Sequence, residues 1–156
     1  MAIRFVALNT DQVRAIQRGG PDAYDNLPEK AVSDGQGVPC RHCLKPVEAG
    51  EDYLILAHRP FETEQPYAET GPIFLHAHEC ERAASGANVP AMYGPDRRFI
   101  LRGYRDNHWI NYEAAQVVNT GAIPAAAAAM LDRDDVAYLH MRSAEFNCYH
   151  CRIERA

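Results

Sequence analysis

The stretch VPCRHCLKPV, residues 38–47, is the feature that most constrains this chain, because it contains two cysteines in a C-x-x-C pair. Pro39 precedes the pair and Pro46 follows it, so the segment favours a tight turn that points both sulfur atoms at one place. Such a turn is typical of half a zinc site, which needs two more Cys or His donors. The pattern therefore predicts a zinc-knuckle-like loop and a second pair of donors elsewhere.

Two later segments could supply that second pair. HAHEC offers His76 and Cys80, and NCYHC offers Cys148 and Cys151. Spacing alone favours the second C-x-x-C. However, CYHCRIER has no turn-forming residue and is typical of a β-strand, in which residues three apart point to opposite faces. We therefore expect Cys151 to be a small buried hydrophobic residue and prefer the HAHEC segment.

The prediction is a structural zinc site with three thiolates and one imidazole, formed by Cys40, Cys43, His76 and Cys80. If HAHEC is a strand, His76, His78 and Cys80 share one face; if Cys80 lies just beyond the strand end, a His-x-x-x-Cys bend supplies the pair equally well. His78 and Cys148 are the first substitutes for a predicted ligand. His42, inside the CRHC turn, is expected to face solvent. The competing interpretation is that the cysteines are buried and pack like small apolar side chains, and that His76 is a hydrogen-bonded core histidine.

Length and charge predict one globular domain over residues 1–156 that does not act mainly on nucleic acid. The net charge is −5 and no run of like charges occurs, whereas nucleic-acid binding favours a concentrated basic face. The longest low-polarity stretch, GAIPAAAAAML, is shorter than the ~20 residues of a membrane span, and MAIRFVALNT lacks a secretory pattern. We expect a cytoplasmic protein with reduced cysteines, no membrane partner, and a monomeric or homodimeric state.

Strand patterns outnumber helix patterns along the chain. Strands are predicted at IRFVAL, EDYLILAH, IFLHAHEC, RRFILRGY, VAYLHMR and CYHCRIER, and HWINYEAAQVV is expected to begin as a strand. Helices are predicted at TDQVRAIQRGG, with Thr10 as the N-cap, and at PAAAAAMLDRDD, with a single helical turn at NVPAMYG. Residues 20–37 are predicted as loop. Because helices and strands do not alternate regularly, the fold class is α+β with a mostly antiparallel sheet and a few helices.

Several of these segments together resemble a known family. CRHCL, GEDYLIL, RPF, PYAETGPIFLHAHEC, LRGY and CYHCRIER are similar to an uncharacterised bacterial family, the domain of unknown function 1203 type. The resemblance runs from about Val38 to the C-terminus, and PYAETGPIF is its most specific part. It implies a small single-domain protein without an assigned activity and supports the four predicted ligands as a set. Members tend to carry an apolar residue at the position of Cys151, which agrees with a buried role there.

The predicted function is a binding or scaffold module with a structural zinc ion, whose partner is an unknown small molecule or protein. A closed Cys₃His tetrahedron has no open position for water, so it stabilises a fold and does not catalyse. The alternative is a binding protein or enzyme for a small anionic ligand, held bidentately by arginines of the C-terminal half. These arginines are Arg98, Arg102, Arg105, Arg142, Arg152 and Arg155.

Two kinds of cysteine chemistry are weaker interpretations. Thiol redox chemistry at Cys40 and Cys43 is disfavoured because no helix begins at the pair to lower a thiol pKa. Nucleophilic catalysis by Cys80 or Cys148 requires a base within hydrogen-bond reach, which seven histidines could supply by chance. The sequence therefore predicts no catalytic residue and leaves open whether the protein is an enzyme.

Overall fold

A computed structural model describes residues 1–156 as eight β-strands and two α-helices. In chain order they are β1 (Ile3–Val6), α1 (Thr10–Gln17), β2 (Glu29–Val32), β3 (Asp52–His58), β4 (Gly71–His76), β5 (Arg98–Tyr104), β6 (Ile110–Asn119), α2 (Ile123–Leu131), β7 (Tyr138–Ser143) and β8 (Tyr149–Arg155). Short 3₁₀ turns occur at Ala91–Tyr93 and Thr120–Ala122. All paired strands are antiparallel, so the α+β class with a mostly antiparallel sheet is confirmed. Neither helix has the length and apolar character needed to cross a membrane.

The chain divides into two compact units, each built on its own sheet. Unit 1 comprises Met1–Val6, Phe61–Ala68 and Ser85–Ala156; it contains α2 and a five-stranded sheet in the order β1-β8-β7-β5-β6. Unit 2 comprises Ala7–Pro60 and Glu69–Ala84; it contains α1 and a three-stranded sheet in the order β2-β3-β4. A single domain over residues 1–156 stays a prediction.

The core of unit 1 is formed by its central strands. Burial alternates along most of β5, whereas all six residues of the middle strand β7 are buried. Cys151 on β8 lies opposite Met141 on β7, which lies opposite Leu101 on β5, and all three are fully buried. The sulfur atoms of Cys151 and Met141 are 3.9 Å apart. Helix α2 packs against this sheet. Cys151 is therefore the buried residue that the strand pattern predicts.

The sheet of unit 2 has the same alternation in a smaller form. Leu54 and Leu56 of β3 pair with Leu75 and Ile73 of β4, and all four side chains are buried. The edge strand β2 lies inside the segment predicted as loop, so that prediction is wrong there. None of its four residues, EKAV, is buried and its two apolar residues lie on opposite faces, because an edge strand can be specified by backbone pairing without an apolar face.

Helix α1 of unit 2 begins one residue differently from the prediction. Asn9, not Thr10, is the N-cap: its side-chain Oδ1 accepts hydrogen bonds from the backbone N–H groups of Asp11 at 2.9 Å and Gln12 at 3.4 Å. Asparagine is among the preferred capping residues because it satisfies N–H groups that lack a helical partner. The hydroxyl of Thr10 is consequently not used in capping the helix.

Candidate metal centre

The knuckle loop, residues 38–47, is a tight hairpin-like turn. Pro39 and Pro46 form an isolated antiparallel bridge. Inside it, the N–H of Cys40 donates to the carbonyl of Lys45 at 3.0 Å, and the N–H of Leu44 donates to the carbonyl of Cys40 at 3.0 Å. Leu44 closes the turn with φ +52, a left-handed conformation that is uncommon for a residue other than glycine. This backbone arrangement points both sulfur atoms of the C-x-x-C pair to the same side.

The second predicted pair lies where β4 ends. The strand stops at His76, and Cys80 follows in an irregular bend, so the segment is not a strand through Cys80 and the His-x-x-x-Cys bend is the arrangement found. Two side chains of helix α1 hold this bend by hydrogen bonds to its backbone carbonyls. Gln17 Nε2 donates to the carbonyls of His76 at 2.9 Å and His78 at 2.8 Å, and Arg14 Nη2 donates to the carbonyl of Cys80 at 2.6 Å.

The four predicted ligands come together in unit 2. One donor atom from each of Cys40, Cys43, His76 and Cys80 lies within 4.8 Å of the other three. The sulfur atoms of Cys40 and Cys80 are 3.9 Å apart, and Cys43 Sγ is 3.5 Å from His76 Nδ1. A tetrahedron with Zn–S bonds of about 2.3 Å and Zn–N bonds of about 2.05 Å has edges of about 3.8 Å and about 3.5 Å respectively. The cluster could therefore hold a metal ion.

Neither substitute ligand belongs to this cluster. His78 is exposed and follows the end of β4, where its carbonyl accepts the bond from Gln17. Cys148 belongs to unit 1, where its backbone N–H bonds to the hydroxyl of Ser143 at 3.2 Å. The cluster of four is therefore the set that the knuckle and bend arrangement favoured from the sequence.

Hydrogen bonds among the three cysteines decide which sulfur of the cluster ionises first. The thiols of Cys43 and Cys80 hydrogen-bond to Cys40 and lower its pKa, and the backbone N–H of His76 also donates to its sulfur at 3.4 Å. The same contacts raise the pKa of Cys43 and of Cys80. Without an ion the site thus favours one thiolate beside two thiols, because like charges so close together cannot all ionise. Three thiolates together require a bound cation.

The imidazole of His76 is oriented from both sides. Its Nδ1 faces Cys43, and its Nε2 lies 3.6 Å from Oε2 of Glu51. The pKa of His76 is raised, first by its interaction with Cys40 and further by Glu51, whereas burial acts in the opposite direction. A carboxylate behind the second ring nitrogen is the usual arrangement for a metal-binding histidine, since it fixes the tautomer and the ring orientation. Nothing in the local sequence indicated Glu51 for this position.

The prediction for His42, inside the knuckle loop, is wrong. His42 was expected to face solvent, yet it is 0% exposed. Its Nδ1 lies 3.1 Å from Cys80 Sγ and its Nε2 lies 2.9 Å from Thr10 Oγ1. Burial lowers the pKa of His42, which favours the neutral ring. The expectation is wrong because the knuckle loop packs against α1 and the bend after β4, so the side of the turn that carries His42 is covered.

Most of the arginines proposed for an anionic ligand have partners within unit 1. Arg98 pairs with Glu145, Arg105 with Asp135, and Arg152 with Glu154, while Arg155 donates to the carbonyls of Arg133 and Val136. Unit 2 has a cleft of ≈ 700 Å³ near the start of β4, and its lining includes Asp25 and Glu29 but no arginine. Arg142 Nη1 also donates to the carbonyl of Asn147 at 3.2 Å, so these contacts favour structural roles for five of the six arginines.

The fold and the site define an α+β protein with a Cys₃His cluster able to hold a metal ion. The chain belongs to a family described as "Protein of unknown function (DUF1203)", whose model matches residues 37–155. The match confirms the resemblance seen in the sequence and covers all four residues of the cluster. No curated protein and no solved structure matches the chain.

Proposed function

We propose that the protein binds one Zn²⁺ through Cys40, Cys43, His76 and Cys80, and that this ion supports unit 2 as a binding or scaffold module. One observation carries the proposal: the separations of 3.9 Å between two sulfurs and 3.5 Å between a sulfur and an imidazole nitrogen match the edges of a zinc tetrahedron. Four protein donors fill the coordination shell, so the ion has a structural role.

The donor set favours zinc over other common ions. Thiolate and imidazole donors suit a borderline-soft ion in a tetrahedral site, whereas Mg²⁺ and Ca²⁺ take oxygen ligands. Three thiolates around a divalent ion leave one net negative charge, and N–H···S hydrogen bonds from the His76 backbone and from His42 Nδ1 can offset it. The carboxylate of Glu51, on the other side of the His76 ring, would fix the orientation of that ring.

Zinc at this site would reinforce a junction between two parts of unit 2 that share only a few backbone hydrogen bonds, among them Arg41 N–H to the carbonyl of Phe74 at 3.2 Å and Ala83 N–H to the carbonyl of His42 at 2.9 Å. The knuckle loop lies between β2 and β3, and the bend that carries Cys80 follows β4 and is hydrogen-bonded to α1. A cytoplasmic location remains part of the proposal, because thiolate ligands persist where thiols stay reduced. The module's partner, a protein or a small molecule, also remains a prediction.

Metal analysis of the whole chain tests the zinc site directly. Protein purified without chelators should contain close to one zinc per chain by elemental mass spectrometry. Cobalt substitution should give thiolate-to-cobalt charge-transfer bands and the intense visible bands of a tetrahedral ion. Cys43→Ser should lose most of the metal, whereas the matched variant Cys148→Ser, outside the cluster, should keep it. Metal-free wild-type protein that also fails to bind added zinc or cobalt would disprove the proposal.

Binding of a small anionic ligand stays the alternative prediction. It requires that an anionic metabolite raises the melting temperature and that Arg102→Ala abolishes the increase. Thiol redox chemistry at Cys40 and Cys43 would instead show as a reversible disulfide in alkylation experiments. A zinc-loaded protein that responds to no anion and forms no disulfide would leave the scaffold function as the better description.

A further inference from the structure

Both ring nitrogens of the buried His42 are engaged within unit 2. Nδ1 contacts the sulfur of Cys80 at 3.1 Å, and Nε2 contacts the hydroxyl of Thr10 at 2.9 Å. The three side chains thus form a continuous chain of hydrogen bonds from the first residue of α1 to one proposed ligand. Because Asn9 caps the helix, the Thr10 hydroxyl is available for this contact.

The chemistry of a metal-bound thiolate fixes the direction of these hydrogen bonds. A thiolate has no proton, so it can only accept, and Nδ1 of His42 must carry the hydrogen that is donated to Cys80. A neutral imidazole has one N–H, so Nε2 is then an acceptor and the Thr10 hydroxyl must donate to it. The hydroxyl of Thr10 therefore selects the tautomer that can serve the sulfur.

Cys80 is the thiolate that most needs such a partner. Cys40 is 0% exposed and Cys43 is 8% exposed, whereas Cys80 is only partly buried. An accessible thiolate is the one that electrophiles and oxidants reach first. A hydrogen bond to sulfur withdraws electron density and makes the thiolate a weaker nucleophile, while it also fixes the position of the sulfur.

We infer that Thr10 and His42 act as a positioning pair, the Thr10–His42 relay, that holds Cys80 in place and protects it from reaction with electrophiles. This inference rests on the proposed zinc site and deepens it, because it names what controls the reactivity of that site. Neither residue would bind the ion. The relay acts through Cys80. Its removal should therefore raise the alkylation rate of Cys80 while the zinc content stays the same.

Alkylation of the zinc-loaded full chain tests the relay. Iodoacetamide forms an S–C bond at Cys80 with loss of iodide, and peptide mass spectrometry gives the rate while a colorimetric chelator reports zinc release. Thr10→Val removes the hydroxyl at nearly constant shape and should increase the rate at Cys80 by about five-fold or more, with zinc still near one per chain. Thr10→Ser retains the hydroxyl and should react like the wild type. The rate at Cys148, outside the cluster, should be the same in all variants.

A second test uses only the wild-type protein, so it does not depend on whether a variant folds. In the zinc-loaded protein, ¹⁵N shifts of the His42 ring should identify Nδ1 as protonated and Nε2 as bare. A ring protonated at Nε2, or Thr10→Val reacting at the wild-type rate with zinc retained, would overturn the relay and leave the zinc site standing. Wild-type protein that binds no zinc would overturn both.

Discussion

Cys151 in unit 1 and Cys40 in unit 2 are equally buried, at 0% exposure, yet their surroundings differ completely. The sulfur of Cys151 lies against the sulfur of Met141 in a row of apolar side chains. The sulfur of Cys40 is surrounded by the thiols of Cys43 and Cys80 and by a backbone N–H group. Burial alone therefore does not distinguish a core cysteine from a cysteine of a cluster that could hold a metal ion; the neighbouring side chains do.

The same difference extends to the two units. Unit 1 has a five-stranded sheet with buried apolar residues on its central strands and on α2, which is the usual source of stability for a domain of this kind. Unit 2 has three strands, and the long connection between β2 and β3 carries the knuckle loop without any helix or strand. We expect unit 1 to be stabilised mainly by apolar packing and unit 2 to depend on the ion.

The largest effect should come from replacing a cysteine that is proposed to bind the ion. Cys40→Ser should abolish zinc binding and lower the free energy of unfolding by more than about 3 kcal/mol, because metal binding to such a site is coupled to folding. Cys151→Ala, its matched control, should cost about 1–2 kcal/mol for the lost packing and should leave zinc content unchanged. Urea unfolding with metal analysis measures both. Equal losses for the two variants would contradict the distinction between the two cysteines.

An intermediate effect should come from overfilling the core of unit 1. A Cβ at Gly103 would lie 2.8 Å from the Cβ and 2.9 Å from the carbonyl oxygen of Ala114, closer than packed atoms tolerate. Gly103→Ala should therefore cost about 1–3 kcal/mol and leave one zinc per chain. Gly121→Ala is the control, since a Cβ there would meet no atom within 4 Å. Loss of zinc in Gly103→Ala would show that the metal site depends on the packing of unit 1.

The smallest effect should be on the stability of unit 1 at low pH, through the carboxylate of Asp135. The Arg133 guanidinium, 3.0 Å from the carboxylate of Asp135, lowers the pKa of Asp135 from 3.8 to about 2. A lowered folded-state pKa stabilises the fold above pH 3.8, and this contribution is lost as the pH falls toward about 2. Asp135→Asn should make the unfolding free energy of unit 1 less dependent on pH in that window.

The control for the acid experiment is Asp134→Asn, which removes the neighbouring exposed carboxylate and keeps the ion pair between Arg133 and Asp135. Zinc should be released at higher pH than this window, because its thiolate ligands must take up protons. As the pH is lowered, amide hydrogen exchange should therefore show that unit 2 loses protection at a higher pH than unit 1. Simultaneous loss in both units would contradict the view that they are stabilised differently.

Much of the fold follows from local patterns in the sequence. Six strands with apolar alternation and the alanine-rich helix were predicted because their signal lies within the segment itself. β2 was missed because EKAV has no apolar face and forms only by pairing with β3. The predicted strand at IFLHAHEC was too long, because its alternation continues past His76 while the backbone bends there.

The four residues of the cluster could be predicted, and the residues that surround them could not. Cys40 and Cys43, and His76 and Cys80, are close in sequence, so each pair has a recognisable spacing. The positions of Thr10, His42 and Glu51 depend on how α1 and the knuckle loop pack in three dimensions, and no spacing reports that. Thr10 even matched a different role, the helix cap, which its neighbour Asn9 performs.

The proposed donors lie far apart in the sequence, and this separation affects the stability of unit 2. Cys40 and His76 are 36 positions apart, and β3 lies between them. An ion that joins them acts as a cross-link, and closing a loop of that length restricts the unfolded chain by about 4 kcal/mol in the chain-entropy model used for disulfides. Unlike a disulfide, this cross-link needs no oxidant and is made or removed by transfer of a single ion. The free energy of unfolding of unit 2 would therefore rise and fall with the concentration of free zinc around it.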